Sequence, residues 1–430
     1  MNNTIPLLTL GIQPTSGIHV PMPKWEPYFL HPIPNSNYST EVRKISCGGN
    51  FFVVRLWPKL NFHESHVEKL YIKFATAKSN QCNYFKPIKN SSTESECHST
   101  FWLDYKSTID ELKLGNCYQV EDVYCNQVGV LLQMKNNLVI RFDTSSERVF
   151  HLKKFVENQI GIREIICGPL SFHFLIRGTD DVIYYFSTDS TIYSEELKLN
   201  LDFKDKKYVT SALSGRSSFV VYEEQDGSHQ ILCHGDDQFL SQSGQPSEVF
   251  SQLKTPFQGK RIDQIKCGYF HTSVLLESGE VYMCGYNGYF QCGVVGSDQY
   301  FIKIDFPLLP YDSQNSKIFQ PTRITCSSIA TVFINKDAFV IVGDPVSSFA
   351  VKTPFTDSSK PNTIYCIYHK FGPEELLPTL ETNSIECGGW HFVLYKKKIL
   401  ESKCLKYFYE NLKKNNGNRE FFSFSDIKII

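Results

Sequence analysis

Short apolar runs flanked by turn-forming residues recur along this chain, and each follows a cysteine or small residue at a similar distance. In the clearest unit, Ile265-Lys266-Cys267 is followed by Gly268 and then by the apolar run Val274-Leu275-Leu276. The same register occurs at seven positions, which we call the anchors: Cys47, Cys125, Cys167, Ala212, Cys267, Cys326 and Cys387. A unit that repeats at intervals of tens of residues indicates a repeat architecture.

Each anchor precedes a second apolar run that is typical of a buried strand, because it is short and rich in β-branched and aromatic residues. These runs lie at Val54, Leu132, Phe174–Ile176, Phe219–Val221, Val274–Leu276, Phe333–Ile334 and Val393–Leu394. A third strand then follows a hairpin and ends in glycine, at Gly235, Gly285 and Gly343. Glycine at such a strand end permits a positive φ and close backbone approach.

The N-terminal segment resembles a third strand that has no first or second strand before it. Leu7–Gly11 resembles the glycine-ended strands but has no anchor before it, whereas Cys387 has no convincing third strand after it. We therefore predict that the N-terminal strand completes the last unit and closes a ring, which removes exposed sheet edges. The predicted fold class is all-β, a seven-bladed β-propeller over residues 1–398, with an insertion at about residues 60–115.

Residues 399–430 differ from the repeats and are predicted to form a short C-terminal extension. Leu405, Phe408 and Leu412 have the spacing of an amphipathic helix, which Gly417 would end. The alternating segment Phe424–Ile430 then predicts a strand. We expect the helix to pack on the propeller and the strand to pair with a sheet edge.

Composition agrees with a large folded domain, since 41% of the residues are hydrophobic and 14% aromatic. The sequence has no run of about twenty apolar residues, and Met1–Thr4 lacks the pattern of a signal peptide. We therefore expect a cytoplasmic protein, with the nucleus as the alternative, and no membrane partner. The fourteen cysteines are then expected to be reduced and mostly buried.

The charge balance argues against nucleic acid as a partner. The chain carries 44 basic and 45 acidic residues and a formal charge of −1, whereas non-specific nucleic-acid binding needs a basic face. Two lysine-rich runs stand out, Lys204–Lys207 and Lys396–Lys398. We interpret both as solvated segments and keep a chromatin-binding surface as the alternative.

The sequence predicts no catalytic residue, no cofactor and no metal, and therefore no enzyme. His271 and His391 occupy equivalent repeat positions, where we expect each to hydrogen-bond neighbouring backbone and lock a blade. The best zinc candidates have poor ligand spacing: Cys82, Cys97 and His98, with His63 and His66 upstream. No Walker loop, nucleophile elbow or kinase signature appears. The sequence does not identify the partner-binding residues.

One repeat resembles the regulator of chromosome condensation repeat. The resemblance rests on the following segments: Cys267-Gly268, His271-Thr272, Ser278–Tyr282, Gly285–Asn287 and Gln291–Gly293. It extends in weaker form over nearly the whole chain. The other repeats are degenerate, with Ser171 and Arg216 where His271 stands, and in the best repeat Phe290 and Cys292 replace the usual glycine and leucine. The resemblance implies a seven-bladed β-propeller.

Three functions follow as expectations. Degenerate repeats and neutral charge favour a protein-interaction scaffold, in which loops of a rigid ring contact a protein partner. The resemblance implies guanine nucleotide exchange on a small GTPase as an alternative, because the family's founding member acts on Ran. The segment Phe424–Ile430 resembles the entry to a BTB domain, so a ubiquitin-ligase adaptor is the third candidate. We expect an oligomer only if such a module follows.

Overall fold

The computed structural model describes most of the repeat region. The described residues are 5–11, 26–30, 38–58, 68, 70–74, 82–87, 100–187, 197–199, 206–215, 217–235, 247–288, 291–293, 298–306, 318–335, 338–343, 367–370, 381–389 and 391–398. The predicted extension at 399–430 lies outside them.

Strands dominate the described chain. The first fifteen are β1 Ile5–Gly11, β2 Glu26–Leu30, β3 Tyr38–Cys47, β4 Phe51–Pro58, β5 Leu70–Phe74, β6 Phe85–Pro87, β7 Thr100–Leu103, β8 Val120–Cys125, β9 Gly129–Met134, β10 Val139–Asp143, β11 Val149–Leu152, β12 Ile162–Cys167, β13 His173–Gly178, β14 Ile183–Ser187 and β15 Leu197–Leu199. The others are β16 Lys207–Leu213, β17 Ser217–Glu223, β18 His229–Gly235, β19 Ser247–Gln252, β20 Ile262–Cys267, β21 His271–Leu276, β22 Val281–Gly285, β23 Asp298–Ile304, β24 Arg323–Cys326, β25 Ala330–Ile334, β26 Ala338–Gly343, β27 Ile367–Lys370, β28 Glu381–Cys387 and β29 His391–Lys398.

Two short helices interrupt the strands, α1 at Tyr105–Glu111 and α2 at Lys154–Glu157. Asp104 caps α1, because its side chain accepts a hydrogen bond from the amide of Ser107. In the described part of the chain, no helix is long and apolar enough to cross a membrane.

The strands form small antiparallel sheets, which we number along the chain. Six are four-stranded: sheet 2 is β8–β11, sheet 3 β12–β15, sheet 4 β16–β19, sheet 5 β20–β23, sheet 6 β24–β27 and sheet 7 β28-β29-β1-β2. Sheet 1 departs from this regular form, because it has five strands in the order β3-β4-β5-β7-β6. Its strands β5–β7 fall in the segment that the sequence assigns to an insertion.

The sheets are arranged around their first strands. Each first strand contacts the first strand of the next sheet, in the order β3, β8, β12, β16, β20, β24 and β28, and β28 also contacts β3. Strand β1 pairs with β29, so that Gly11 lies opposite His391 in the same way that Gly285 lies opposite His271. The molecule is an all-β propeller with a small share of helix.

The hydrophobic core is divided among the spaces between neighbouring sheets. One cluster joins sheets 1 and 2 and includes Phe51, Phe74, Phe142 and Ile109 of α1. Similar clusters lie between sheets 2 and 3, 3 and 4, 4 and 5, 5 and 6, and 6 and 7. Each fully buried phenylalanine contributes about 2 kcal/mol or more relative to an exposed one, so a sheet is stabilised mainly by its two neighbours.

The glycines that end third strands have the positive φ and the close backbone contacts that the sequence predicts. Gly285 has a φ of 110° and Gly343 a φ of 121°. A Cβ at either position would overlap backbone atoms of the neighbouring strand, at Phe270 and Ile329 respectively. These positions therefore require glycine for both its conformation and its size.

Candidate functional site

A central channel of about 1050 Å³ runs between the first strands. Its described lining comes from sheets 1, 2, 3, 5, 6 and 7. Alternate residues of a strand face opposite sides, and in β20 this places Gln264 and Lys266 in the channel while Ile265 enters the core. The alternation of side chains along a first strand therefore determines which of its residues line the channel.

All six anchor cysteines line this channel, each as the last residue of its first strand: Cys47, Cys125, Cys167, Cys267, Cys326 and Cys387. Burial raises the pKa of Cys125 and of Cys326 to about 12, and it raises the pKa of Cys47, Cys167 and Cys387 as well. The thiolate is the reactive form of cysteine. These five thiols are therefore unreactive at neutral pH, and all six anchor cysteines are free.

The turns that follow the anchors join neighbouring sheets on one face, which we call the anchor-end face. A Cβ on Gly48, Gly168 or Gly268 would overlap a backbone carbonyl oxygen in the equivalent turn of the next sheet. At the remaining junctions backbone amides donate across the boundary. These bonds run from Gln127 to Ser171, Gly215 to Tyr269, Ser328 to Gly389 and Gly389 to Gly49, at 2.9 to 3.1 Å.

His271 has a structural role, but its partner is a side-chain hydroxyl and not the backbone group that the sequence predicts. It is completely buried, and its Nε2 lies 2.9 Å from the hydroxyl of Thr331 in sheet 6. That hydroxyl also donates to the backbone carbonyl of Gln291. Burial lowers the pKa of His271 to about 3, so the ring is neutral and links two sheets.

The predicted equivalence of Ser171 with His271 is wrong, because the turn after Cys167 is two residues longer than the turn after Cys267. Cys167 lies opposite Phe174, whereas Cys267 lies opposite Thr272, so the counterpart of His271 is His173. Its Nε2 lies 2.9 Å from the hydroxyl of Ser218 in sheet 4, and burial lowers its pKa to about 3. The Ser171 hydroxyl instead donates within the longer turn.

The remaining candidates are only partly within the described chain. Arg216, Cys97, His98, His63 and His66 lie outside it, and of His391 only the backbone is described. Cys82 is buried, and its Sγ lies 3.3 Å from the carbonyl oxygen of Ser146. Among the described residues no group of three or more histidine, cysteine or acidic side chains is arranged to hold a metal ion.

The two lysine runs are also partly described. Lys207 begins β16 and lies 2.9 Å from Glu223, with 77% of its side chain exposed. Lys206 lies 3.8 Å from Glu224 and over the ring of Tyr222. Lys396–Lys398 end β29, and only their backbone is described.

Sequence reasoning missed the charge of the channel. Its described lining carries seven basic side chains against three acidic ones, Glu121, Asp122 and Glu386. The basic residues are Arg43, Lys44, Arg55, Lys135, Arg163, Lys266 and Arg323. The near-neutral total charge conceals this excess, and the alternate residues before the anchors do not reveal it either, because they include Asp122 and Glu386 as well as Lys44, Lys266 and Arg323.

Two of these cations are committed to joining sheets 1 and 2. Arg55 is buried, donates to Glu68 at 2.6 and 2.9 Å, and donates to the backbone carbonyls of Val120 and Glu121 at 2.8 Å. Lys44 lies 2.8 Å from Asp122. Burial of the Asp122 carboxyl group raises its pKa, but the positive charges of Lys44 and Arg55 outweigh this effect and lower the pKa below its usual value.

Aromatic side chains are exposed on the anchor-end face. Phe172 is 37% exposed and Phe270 is 36% exposed, and both lie in turns that follow anchors. Phe270 packs edge to face on Tyr269, with ring centroids 4.2 Å apart. Aromatic residues are enriched in protein–protein interfaces relative to the rest of the surface.

Comparison with known proteins identifies the fold. Residues 262–291, from β20 to just beyond β22, match the model of the regulator of chromosome condensation (RCC1) repeat. The chain has an RCC1-like β-propeller fold. The propeller is similar to Prp20p of Saccharomyces cerevisiae, with a TM-score of 0.56 and 11% identity over 96% of this chain and 95% of that one.

Other solved structures agree. Human WBSCR16 has a TM-score of 0.56 and 15% identity, over 92% of this chain and 99% of that one. Yeast RCC1 (Prp20) bound to Kap60 has a TM-score of 0.57 and 11% identity, over 95% of this chain and 92% of that one. No curated protein matches the sequence. At such low identity the similarity establishes the fold alone.

Proposed function

We propose that this propeller is a non-enzymatic protein-interaction scaffold and that its anchor-end face contacts a protein partner. The observation that carries the proposal is the exposure of Phe172 and Phe270 on turns held in place by neighbouring sheets. Aromatic side chains supply a large contact area, and a preformed surface loses little conformational entropy on binding.

We further infer that the seven sheets are the blades of one ring closed by the N-terminal strand. The succession of contacts from β3 to β28 and back to β3 supports this inference, as does the pairing of β1 with β29. A closed ring would hold the anchor-end turns at fixed separations, which suits a scaffold.

The scaffold proposal is tested by comparing partners captured by the wild-type chain and by F172S/F270S. We expect the double variant to lose its specific partners while keeping the wild-type unfolding midpoint. Y300S is the matched control, because Tyr300 is 59% exposed and lies on β23 rather than in an anchor-end turn. Equal capture by the double variant and the wild type would reject this face as the binding surface.

Guanine nucleotide exchange on a small GTPase is the second candidate. It is supported by the fold shared with Prp20p, whose binding to Gsp1p and histones has been characterised. The direct test is release of fluorescent GDP from a panel of small GTPases that includes Ran, with the chain at micromolar concentration. Acceleration of about tenfold or more, equivalent to about 1.4 kcal/mol of barrier, would establish exchange. No acceleration on any member would leave the scaffold proposal.

The ubiquitin-ligase adaptor rests on Phe424–Ile430, which lies outside the described residues. A reading frame that continues beyond Ile430 into a BTB-like sequence would favour this function, and a stop codon would remove its basis. The cytoplasm, with the nucleus as alternative, remains our expectation for the compartment, and imaging of the tagged chain tests it.

A further inference from the structure

We propose that the central channel binds a compact anion carrying several phosphate groups, at the end where the first strands begin. This end, the channel mouth, is lined by Arg43, Lys44, Lys135, Arg163 and Arg323. The anchor cysteines lie about four residues further along each first strand, roughly 13 Å away. The site is thus distinct from the aromatic anchor-end face and independent of the scaffold proposal.

The positive charge comes from separate elements that converge on one cavity. Sheet 1 supplies Arg43 and Lys44, sheet 3 supplies Arg163, and sheet 6 supplies Arg323, while Lys135 lies in the turn between β9 and β10. Charges of one sign in a concave site reinforce one another and attract oppositely charged ligands. The arrangement suits a ligand that is anionic on several sides.

Acidic side chains offset only part of this charge. Lys44 is paired with Asp122, and Arg163 lies 2.6 Å from Asp181. Lys135 and Lys266 are exposed, and within the described chain neither forms an ion pair. Lys266 lies deeper, one residue before its anchor, so the two lysines mark two depths of the same channel.

Arg43 and Arg55 place like charges close together beside the mouth. Burial lowers the pKa of Arg43, and the positive charge of Arg55 lowers it further, although Glu68, Asp122 and Glu121 oppose the shift. A multivalent anion would relieve this repulsion. Guanidinium groups also bind phosphate oxygens through paired hydrogen bonds, as they bind carboxylates.

The cavity volume favours a small ligand over a folded partner. A space of about 1050 Å³ lies at the upper end of small-molecule sites, and no protein domain fits within it. An extended acidic peptide is the competing ligand class. We argue for phosphate because the lining combines arginine and lysine on several sides of the cavity, whereas a peptide presents its charges along one line.

The experiment is calorimetric titration of the full chain with inositol hexakisphosphate at 150 mM salt. We expect K135Q/R163Q, which removes two exposed cations of the channel mouth, to weaken binding at least tenfold, which corresponds to about 1.4 kcal/mol. The matched control K106Q/K113Q removes two exposed lysines in and next to α1, outside the channel, and should change affinity less than twofold. No binding by the wild type, or equal weakening in both double variants, would overturn the proposal.

A second readout uses the wild-type chain and does not depend on the variants folding. Lys135 is exposed and lines the channel mouth, whereas Lys113 is exposed and lies outside the described lining. Inositol hexakisphosphate should slow acetylation of Lys135 by N-hydroxysuccinimidyl acetate, measured by mass spectrometry, and leave acetylation of Lys113 unchanged. Equal rates at Lys135 with and without ligand would contradict binding in the channel. Stronger protection by hexaglutamate would assign the site to acidic peptides instead.

Discussion

At the scale of single residues, burial decides the chemistry of the histidines. His271 and His173 each bond to a hydroxyl of the following sheet and each has a pKa of about 3. In the unfolded chain such a histidine titrates near 6.5. Between pH 6.5 and 3 the unfolded state therefore binds more protons than the folded state, so stability falls as pH falls through this window.

The variant H271Q tests this linkage. Above pH 6.5 both chains should show no pH dependence from this site, and below it the wild type should lose up to about 1.4 kcal/mol per pH unit from His271. Between pH 7.5 and 5 the wild type should thus lose about 2 kcal/mol more than H271Q. Urea unfolding at the two pH values measures the difference, and parallel losses would show that His271 is not buried neutral.

Arg55 gives a second prediction at this scale. R55M removes the partner of Glu68 and leaves the carbonyls of Val120 and Glu121 without their donor. Breaking such a buried pair typically costs about 3–5 kcal/mol. K207M, which removes the exposed partner of Glu223, should cost less than about 1 kcal/mol. Denaturant unfolding of both variants checks the contrast, and similar costs would refute it.

At the scale of elements, the turns after the anchors determine how sheets meet. The glycine that follows Cys267 has no side chain because the carbonyl of Ser327 and the ring of His271 occupy that space. Close contact with the next sheet accounts for the glycine after Cys47, Cys167 and Cys267, whereas the glycine after Cys387 lies at a junction made by backbone hydrogen bonds. Asn126, Leu213 and Ser327 are the partners whose carbonyls approach a glycine, and they carry side chains themselves.

G268A should therefore destabilise the protein by about 3 kcal/mol or more, since the added methyl group meets a backbone carbonyl and the fully buried ring of His271. The control is G279A, in a turn with a φ of 82° and open space around the Cβ position, where strain alone should cost about 1 kcal/mol. Unfolding midpoints measure both, and equal effects would contradict the steric explanation.

Sequence patterns predicted the strands well because the apolar runs and glycines encode them locally. They placed Ser171 in the wrong register because counting residues from an anchor assumes turns of equal length, and only the pairing of Cys167 with Phe174 reveals the longer turn. The channel charge was missed for a related reason. Arg43, Lys135 and Arg163 are distant in sequence and come together only when sheets surround one cavity.

At the scale of the whole molecule, the order of strands joins the two ends of the repeat region. Strand β1 lies inside sheet 7, between β29 and the edge strand β2. Thr9 lies opposite both Val393 and Glu26. Its backbone therefore belongs to the part of the sheet in which a proline cannot be accommodated.

T9P should cost about 3 kcal/mol or more, because proline lacks the amide donor and clashes within a central strand. E26P is the matched control, since Glu26 begins the edge strand directly opposite and proline is tolerated there; its cost should stay below about 1 kcal/mol. Thermal unfolding of the two variants compares them. A harmless T9P would mean that β1 adds nothing to the stability of the propeller.

The pairing of β1 with β29 also sets the timing of folding in the cell. Gly11 is synthesised about 380 residues before His391, its partner in the sheet. At about 5–20 residues per second, that delay is roughly twenty to eighty seconds. Throughout it β1 and β2 have no third strand to join and sheet 7 exists only in part, so the nascent chain depends on protection from aggregation until β29 has been synthesised.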